Sequence, residues 1–163
     1  MIWFSADFHF NHANIIRLCN RPFSNVDDMN DTLLANINDR IAAQDTLYFL
    51  GDWSFNNISH YRSQINCKNI HFIIGNHDHF QSEDRKCFGW IKQMYDLKVG
   101  KFTIVLCHYP LREWNKSFHG SYHLFGHCHG NLPPYKKSFD IGVDPCNYVP
   151  LNIDQVFDKF KEL

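Results

Sequence analysis

Short apolar runs alternate with amphipathic stretches through the first half of the chain, and each run ends in a polar cluster. Ile2-Trp3-Phe4-Ser5-Ala6 reads as a buried strand leading into Asp7-Phe8-His9. Thr46 to Leu50 leads into Gly51-Asp52, and Ile70 to Ile74 into Gly75-Asn76-His77-Asp78. Between the first two runs the period changes. A helix is expected from near His12 through Ile15, Ile16 and Cys19, ended at Arg21-Pro22-Phe23. Val26, Met29, Leu33, Ile37 and Ile41 then recur every three or four positions, the stripe of an amphipathic helix, with Ser24 as its expected cap. A short helix is expected over 58–65.

The second half is richer in strands. Tyr95 to Val99 and Lys101 to Cys107 flank Gly100 as a hairpin. Tyr122 to Phe125 and Ser138 to Val143 read as strands joined by a loop containing Pro133-Pro134. Residues 83–90 read as a short helical or irregular segment. Residues 154–162 fit a final helix with Val156, Phe157 and Phe160 on its apolar face. This order predicts an α/β start merging into a mixed sheet, packed as a layered sandwich with helices outside. One domain over 1–163, with no inserted cap, is expected.

Composition narrows the functional classes. A length of 163 residues and a hydrophobic content of 44% suffice for a core, and the abundance of Phe makes that core aromatic. A formal charge of -1 argues against a general polyanion binder. It does not argue against a nucleotide substrate, because bound metal would supply local positive charge. Lys136-Lys137 and the Arg112-to-Lys116 stretch are too sparse to steer a duplex, so no stable nucleic-acid complex is expected. The six cysteines contain no Cys-x-x-Cys pair and read as buried reduced thiols. The chain shows no signal-peptide pattern and no run of membrane-spanning length. A soluble, cytoplasmic protein without a membrane partner is expected.

Two more clusters complete the chemistry: His108 in Leu106-Cys107-His108-Tyr109-Pro110, and Gly126-His127-Cys128-His129. All five clusters fall where strands are expected to end, the place where open α/β sheets build their sites. Asp, His and Asn suit borderline divalent ions such as Mn, Fe, Zn or Ni. A single cluster reads as a solvated loop, with Asp52 as a helix cap and Asn76 and Asp78 as turn residues. Those readings leave His127 and His129 unexplained, whereas a shared metal site explains all five. The glycines before Asp52, Asn76 and His127 are expected to let the backbone turn sharply beneath an ion.

The ordered set D-x-H, G-D, G-N-H-D, a lone H and G-H-x-H resembles the signature of the calcineurin-like metallophosphoesterases. The Ser5-to-Phe23 stretch, with Asn14-Ile15-Ile16 and Arg21-Pro22-Phe23, is similar to small bacterial and phage members. The resemblance implies an α/β/β/α sandwich with mixed sheets and two divalent metal ions, manganese foremost. By resemblance, Asp7, His9, Asp52 and His129 hold one ion, and Asp52, Asn76, His108 and His127 hold the other, with Asp52 bridging. His77 is implied to face the substrate and help protonate the leaving oxygen or neutralise charge on the phosphoryl group, with Asp78 orienting it. The implied reaction is hydrolysis of phosphodiester or phosphomonoester bonds in a small nucleotide-like substrate.

His12 is expected beside the anion-binding centre, facing substrate or capping a turn. Arg21 is expected either to contact a phosphate or to form an exposed ion pair. Tyr109 and Cys128 read as packing residues, His71 as a core or edge residue, and His60, His79, His119 and His123 as surface or supporting groups. Two other functions share this fold. Interaction scaffolds such as a retromer subunit lose the counterpart of His77, which this chain retains. Related repair nucleases are longer and carry additional DNA-binding elements, which leaves nucleic-acid ends as an alternative substrate.

Overall fold

Trp3 and Phe4 are neighbours in sequence, yet they pack into different cores. Successive side chains of a strand face opposite ways, and this strand lies between two layers. The computed structural model describes residues 1–163. The first half contains β1 (Ile2–Ser5), α1 (Ala13–Leu18), α2 (Val26–Arg40), β2 (Thr46–Phe49), α3 (Ile58–Ser63) and β3 (Asn69–Ile73). The second contains β4 (Trp90–Lys92), β5 (Met94–Val99), β6 (Phe102–Cys107), β7 (Tyr122–Phe125), β8 (Ser138–Asp140), β9 (Leu151–Asn152) and α4 (Ile153–Lys161).

The strands form two mixed sheets, ordered β4-β3-β2-β1-β9 and β5-β6-β7-β8. In the first, β1 to β4 are parallel and β9 is antiparallel to β1. In the second, β6 to β8 are parallel and β5 is antiparallel to β6. Parallel pairing aligns the strand ends. Ser5 sits opposite Phe49, and Phe49 opposite Phe72, so the loops after β1, β2 and β3 leave one edge together. Leu106 sits opposite Leu124, which places the loops after β6 and β7 side by side.

The helical stripe of α2 (Met29, Leu33, Ile37), continued by Ile41, covers Leu47, Phe49 and Phe72 of the first sheet. Loop residues Phe8, Phe10 and Trp53 join this core, with Phe10 stacked on Tyr61 at 4.6 Å and Trp53 edge-on to Phe49 at 4.9 Å. Such pairs add roughly 0.5–1.5 kcal/mol beyond area burial. The other core lies between the sheets, where Phe4, Leu50 and Ile73 meet Ile104, Leu106 and Leu124. Val156 and Phe160 of α4 close it. The connection between β6 and β7, with its 3-10 turn at Ser117–His119, supplies Trp114 against His123 of β7, with ring centroids 5.4 Å apart. His123, expected as a surface or supporting group, is therefore fully buried.

Several local expectations shift. The cap of α2 is Asn25 rather than Ser24: the Asp28 amide donates to Asn25 Oδ1, and the Ser24 amide donates to the Asp28 carboxylate, both at 2.9 Å. Asn25 stands three residues before Asp28, the spacing that a cap requires. The run from Ser138 to Val143 pairs with β7 only as far as Asp140. Beyond it the chain crosses to the first sheet, where Gly142 bridges Ala6 and the Val143 amide donates to the Ala6 carbonyl at 3.1 Å. Strands β4 and β9 are too short for alternation to reveal. No helix is long and apolar enough to cross a membrane.

Candidate metal centre

Five of the seven expected ligands adopt a left-handed backbone: Asp7 (φ 60°), His9 (52°), Asp52 (60°), His127 (69°) and His129 (49°). Each such residue costs about 1–2 kcal/mol, so the surroundings must hold them there. The Asp7 amide donates to the Gly51 carbonyl at 2.9 Å, and the His9 amide to the Asp52 carbonyl at 3.0 Å. The His127 amide donates to both carboxylate oxygens of Asp7, at 3.0 and 2.9 Å. The loops at the strand ends thus brace one another across the two sheets.

The structure brings all seven residues together. Ligand atoms of Asp7, His9 and His129 lie within 4.8 Å of one another, and so do those of Asp52, His108 and His127. Asp52 Oδ2 stands between the groups, 3.4 Å from His9 Nε2 and 3.6 Å from His108 Nε2. Asn76 Oδ1 lies 3.1 Å from His108 Nε2 and 2.9 Å from His127 Nδ1. Asp7, His9, Asp52 and His108 form a buried floor, while Asn76, His77 and His127 form an exposed rim.

Hydrogen-bond partners fix which ring nitrogens carry protons. His108 Nδ1 faces the Leu50 carbonyl at 2.7 Å, so it must donate. A neutral ring then leaves Nε2 as a lone pair aimed at two oxygens, Asn76 Oδ1 and Asp52 Oδ2. His129 Nδ1 likewise donates to Asp144 Oδ2 at 2.7 Å, freeing its Nε2. His9 Nε2 is buried with no hydrogen-bond partner at all. Lone pairs facing carboxylate oxygens in a dry pocket repel unless a cation sits among them. The donor set of imidazole nitrogens and carboxylate oxygens fits divalent transition-metal ions. Burial, and then neighbouring His129, lower the His9 pKa; burial also lowers that of His108, which favours neutral, ligand-competent rings. Burial, and then Asp140, push the Asp7 carboxyl well above its ordinary value.

Arg21 does not reach substrate, contrary to expectation, and its ion pair is not exposed. Its side chain is buried and donates to the Asp7 carbonyl (2.7 Å), the Phe8 carbonyl (2.9 Å) and both oxygens of Asp144 (2.9 and 2.8 Å). Burial acts to raise the Asp144 carboxyl, but the His129 hydrogen bond and Arg21 outweigh it and hold the pKa below its ordinary value. Asp144 is the supporting residue that the motifs do not reveal. Its link to Arg21 spans 123 positions, and only the chain's return to the first sheet brings them together. Asp140 is a second such residue, accepting from the Gly130 and Gly142 amides at 2.9 and 2.8 Å.

Asp78 does not orient His77. Its carboxylate accepts from the amides of Gly75 (2.7 Å), Asp52 (2.8 Å) and Trp53 (2.9 Å), clamping two ligand loops together. Burial pushes its pKa up to about 6 against the pull of these three donors. His77 is instead held through its own amide, which donates to Asp52 Oδ1 at 2.9 Å. Its ring lies 5.4 Å from the His9 ring. His12 Nδ1 approaches His9 Nδ1 at 3.4 Å, and its ring stacks on Phe55 at 5.0 Å, so it borders the opening.

The glycines serve two different needs. Gly51 has the left-handed φ of 92° expected of a sharp turn. Gly75 and Gly126 do not. A Cβ on Gly75 would overlap Asp52 Oδ1, and one on Gly126 would lie 2.7 Å from Asp7 Oδ2. Close approach of backbone to the buried carboxylates is the constraint there. Tyr109, expected to pack, is 43% exposed with its ring 4.9 Å from that of His127. Cys128 is half-buried and belongs to neither ligand group.

Two mixed sheets whose parallel strands deliver Asp, Asn and His to one edge define the calcineurin-like phosphoesterase fold. The crystal structure of a protein of unknown function, AQ665 from Aquifex aeolicus, shares it with a TM-score of 0.79 and 24% identity over 98% of both chains. A structure described as a novel archaeal phosphodiesterase shares it with a TM-score of 0.54 and 16% identity over 94% of this chain and 93% of that one. No family model matches the chain. Its sequence is 36% identical over 166 residues to the uncharacterized protein MJ1445 of Methanocaldococcus jannaschii, covering 95% of this chain and 88% of that protein. The chain belongs to the same family as MJ1445.

Proposed function

We propose that this protein is a metal-dependent phosphoesterase that hydrolyses phosphodiester or phosphomonoester bonds of small nucleotide-like substrates. The observation that carries this reading is the position of Asp52 Oδ2 between His9 Nε2 and His108 Nε2, at 3.4 and 3.6 Å. One carboxylate set between two groups of donors, Asp7, His9 and His129 on one side and Asn76, His108 and His127 on the other, is the arrangement for two neighbouring cations. Asp7, His9, Asp52 and His129 would hold one ion, and Asp52, Asn76, His108 and His127 the other, with manganese the first choice and Fe, Zn or Ni its alternatives. Such a pair, when bound, polarises phosphoryl oxygens and makes water a competent nucleophile near neutral pH.

The chain's own groups account for the rest. Only Asp7 and Asp52 bring negative charge to the ligand set, so the loaded site stays positive and attracts a phosphate ester. In hydrolysis a water oxygen bonds to phosphorus, the ester P–O bond breaks, and the leaving oxygen departs with a proton. His77 would give that proton; its exposure on the rim and its amide bond to Asp52 Oδ1 support this role. A positioned acid of this kind contributes roughly 10²–10⁴-fold in rate. His12 stands beside His77, their rings 6.2 Å apart and each 5.4 Å from that of His9.

Hydrolysis of bis-p-nitrophenyl phosphate with added manganese, against a chelated control, tests this reading. Metal-dependent release of p-nitrophenolate is expected. No turnover with any of Mn, Ni, Zn or Fe overturns it in favour of a scaffold role.

A further inference from the structure

Strand β5 lies at the end of its sheet, and we infer that its free edge is where a second copy of this chain docks, joining the two copies' β5-to-β8 sheets into one. The other sheet ends, β4, β8 and β9, are two or three residues long, whereas β5 has six. A long edge offers its backbone groups to another strand unless a proline, a bulge or an unmatched charge blocks it. β5 contains no proline, and its register with β6 runs without a bulge from Met94 opposite Cys107 to Val99 opposite Phe102. No backbone group outside that pairing bonds to β5.

The hairpin turn fixes which backbone groups face outward. Gly100 has a φ of 56° as the first of two loop residues, the form of a type II′ turn, which bonds Val99 to Phe102. Bonding alternates along an antiparallel pair, so Leu97 and Tyr95 also turn their amides and carbonyls to β6. Those of Asp96 and Lys98 face the open side.

Side chains select the partner and the register. Asp96 and Lys98 share the outer face of the sheet, and the β6 residues opposite them, Val105 and Thr103, are uncharged. Lys98 is exposed and without a carboxylate partner, and Asp96 accepts from Asn115 Nδ2 at 2.5 Å. A second β5 laid antiparallel about Leu97 puts Asp96 of each copy opposite Lys98 of the other, Tyr95 opposite Val99, and Leu97 opposite Leu97. Opposite charges, and an aromatic against a β-branched side chain, are favourable cross-strand pairs. A slip of two residues either way sets Asp96 against Asp96 or Lys98 against Lys98. The edge is therefore complementary to itself, as a two-fold interface requires. A uniformly acidic or basic strand would satisfy one of the two charges and oppose the other. A six-residue edge is small beside the roughly 1,200–2,000 Å² of a standard interface, so dissociation in the micromolar range is expected.

Sedimentation velocity of the full chain, from micromolar to millimolar concentration, tests this. The mass should rise from monomer to dimer. Asp96→Lys sets a second cation against Lys98, and Lys98→Asp sets a second anion against Asp96. Each variant alone should raise the dissociation constant by about tenfold or more. Mixed in equal amounts, the two should associate as tightly as the wild type, because every charge again meets its opposite. In the wild type, amide hydrogen exchange at Asp96 and Lys98, but not at Leu97, should slow as concentration rises; this readout decides the matter if either variant fails to fold. A monomer throughout, a dimer indifferent to both substitutions, a mixture of folded variants no tighter than its parts, or exchange at Asp96 and Lys98 independent of concentration overturns the inference.

Discussion

Arg21 and Asp144 meet as a buried ion pair at 2.8 Å, and between them they reach both halves of the first ligand group. Arg21 holds the backbone carbonyl of Asp7, while Asp144 holds the ring of His129. Removing one partner of such a pair leaves a buried charge without its counterpart, at a cost of about 3–5 kcal/mol. Arg21→Ala should therefore lower the urea midpoint by that equivalent and weaken metal uptake. Arg21→Lys should rescue little, because an ammonium cannot reproduce the fork across two carbonyls and a carboxylate. A variant with wild-type stability and full metal content would refute this role.

On the proposed reading, Asp52→Ala removes the carboxylate that both half-sites would share. Metal content by elemental analysis should fall at both, beyond the loss of one ion. An unchanged stoichiometry would show that Asp52 is no bridge.

His77→Ala should keep its metal and lose turnover, by roughly 10²–10⁴ on a diester with an alkoxide leaving group. The loss should be much smaller on a p-nitrophenyl ester, whose leaving group needs no proton. Equal losses on both esters would exclude the acid role, and loss of metal would make His77 a ligand.

Gly126→Ala places a methyl 2.7 Å from both Ala6 Cβ and Asp7 Oδ2. Overpacking of this kind costs about 1–3 kcal/mol, and here it also displaces a ligand carboxylate. Lower thermal stability together with weaker manganese binding is expected. Gly100→Ala, at a left-handed turn where a Cβ would meet nothing within 4 Å, should cost stability through backbone strain alone and leave manganese binding unchanged.

His123 gives the fold a pH dependence away from the centre. Nδ1 donates to the Val105 carbonyl at 2.9 Å, and Nε2 accepts from the Leu111 amide at 3.2 Å, so the ring is neutral. Burial lowers its pKa from the ordinary value of 6.5, with the bonds to the backbone pulling the other way. The unfolded chain takes up a proton near pH 6.5 while the folded chain does not. The stabilisation from neutral His123 is present above that pH and lost as pH falls towards the folded pKa. The stability gap between wild type and His123→Gln, from urea titrations, should shrink from pH 7.5 to pH 5.5. A constant gap would contradict the assignment.

The strands and the two longer helices follow from the sequence because their determinants are local. Met29, Leu33 and Ile37 repeat at the helical period, and Phe4 and Leu47 lie in runs that only a buried strand explains. The order of polar clusters at strand ends was equally legible, since each cluster is a few adjacent residues. Their spatial convergence rests on the parallel register of β1, β2 and β3 and of β6 and β7, which a resemblance can imply but periodicity cannot encode.

Supporting partners were not legible in this way. Arg21 looked like a phosphate contact or half of an exposed ion pair; Asp144, its buried partner, lies 123 positions away in sequence. Asp78 looked like a partner of the adjacent His77, but the fold offers its carboxylate three amides from strand-end loops. His123 looked peripheral until the loop carrying Trp114 closed over it. Sequence alone determined which residue types stand at the ends of which strands, because turn chemistry and side-chain alternation act over a few residues. Tertiary structure alone decided which of them share a proton, an ion pair or a wall, because those pairings join loops that meet only when two sheets stack.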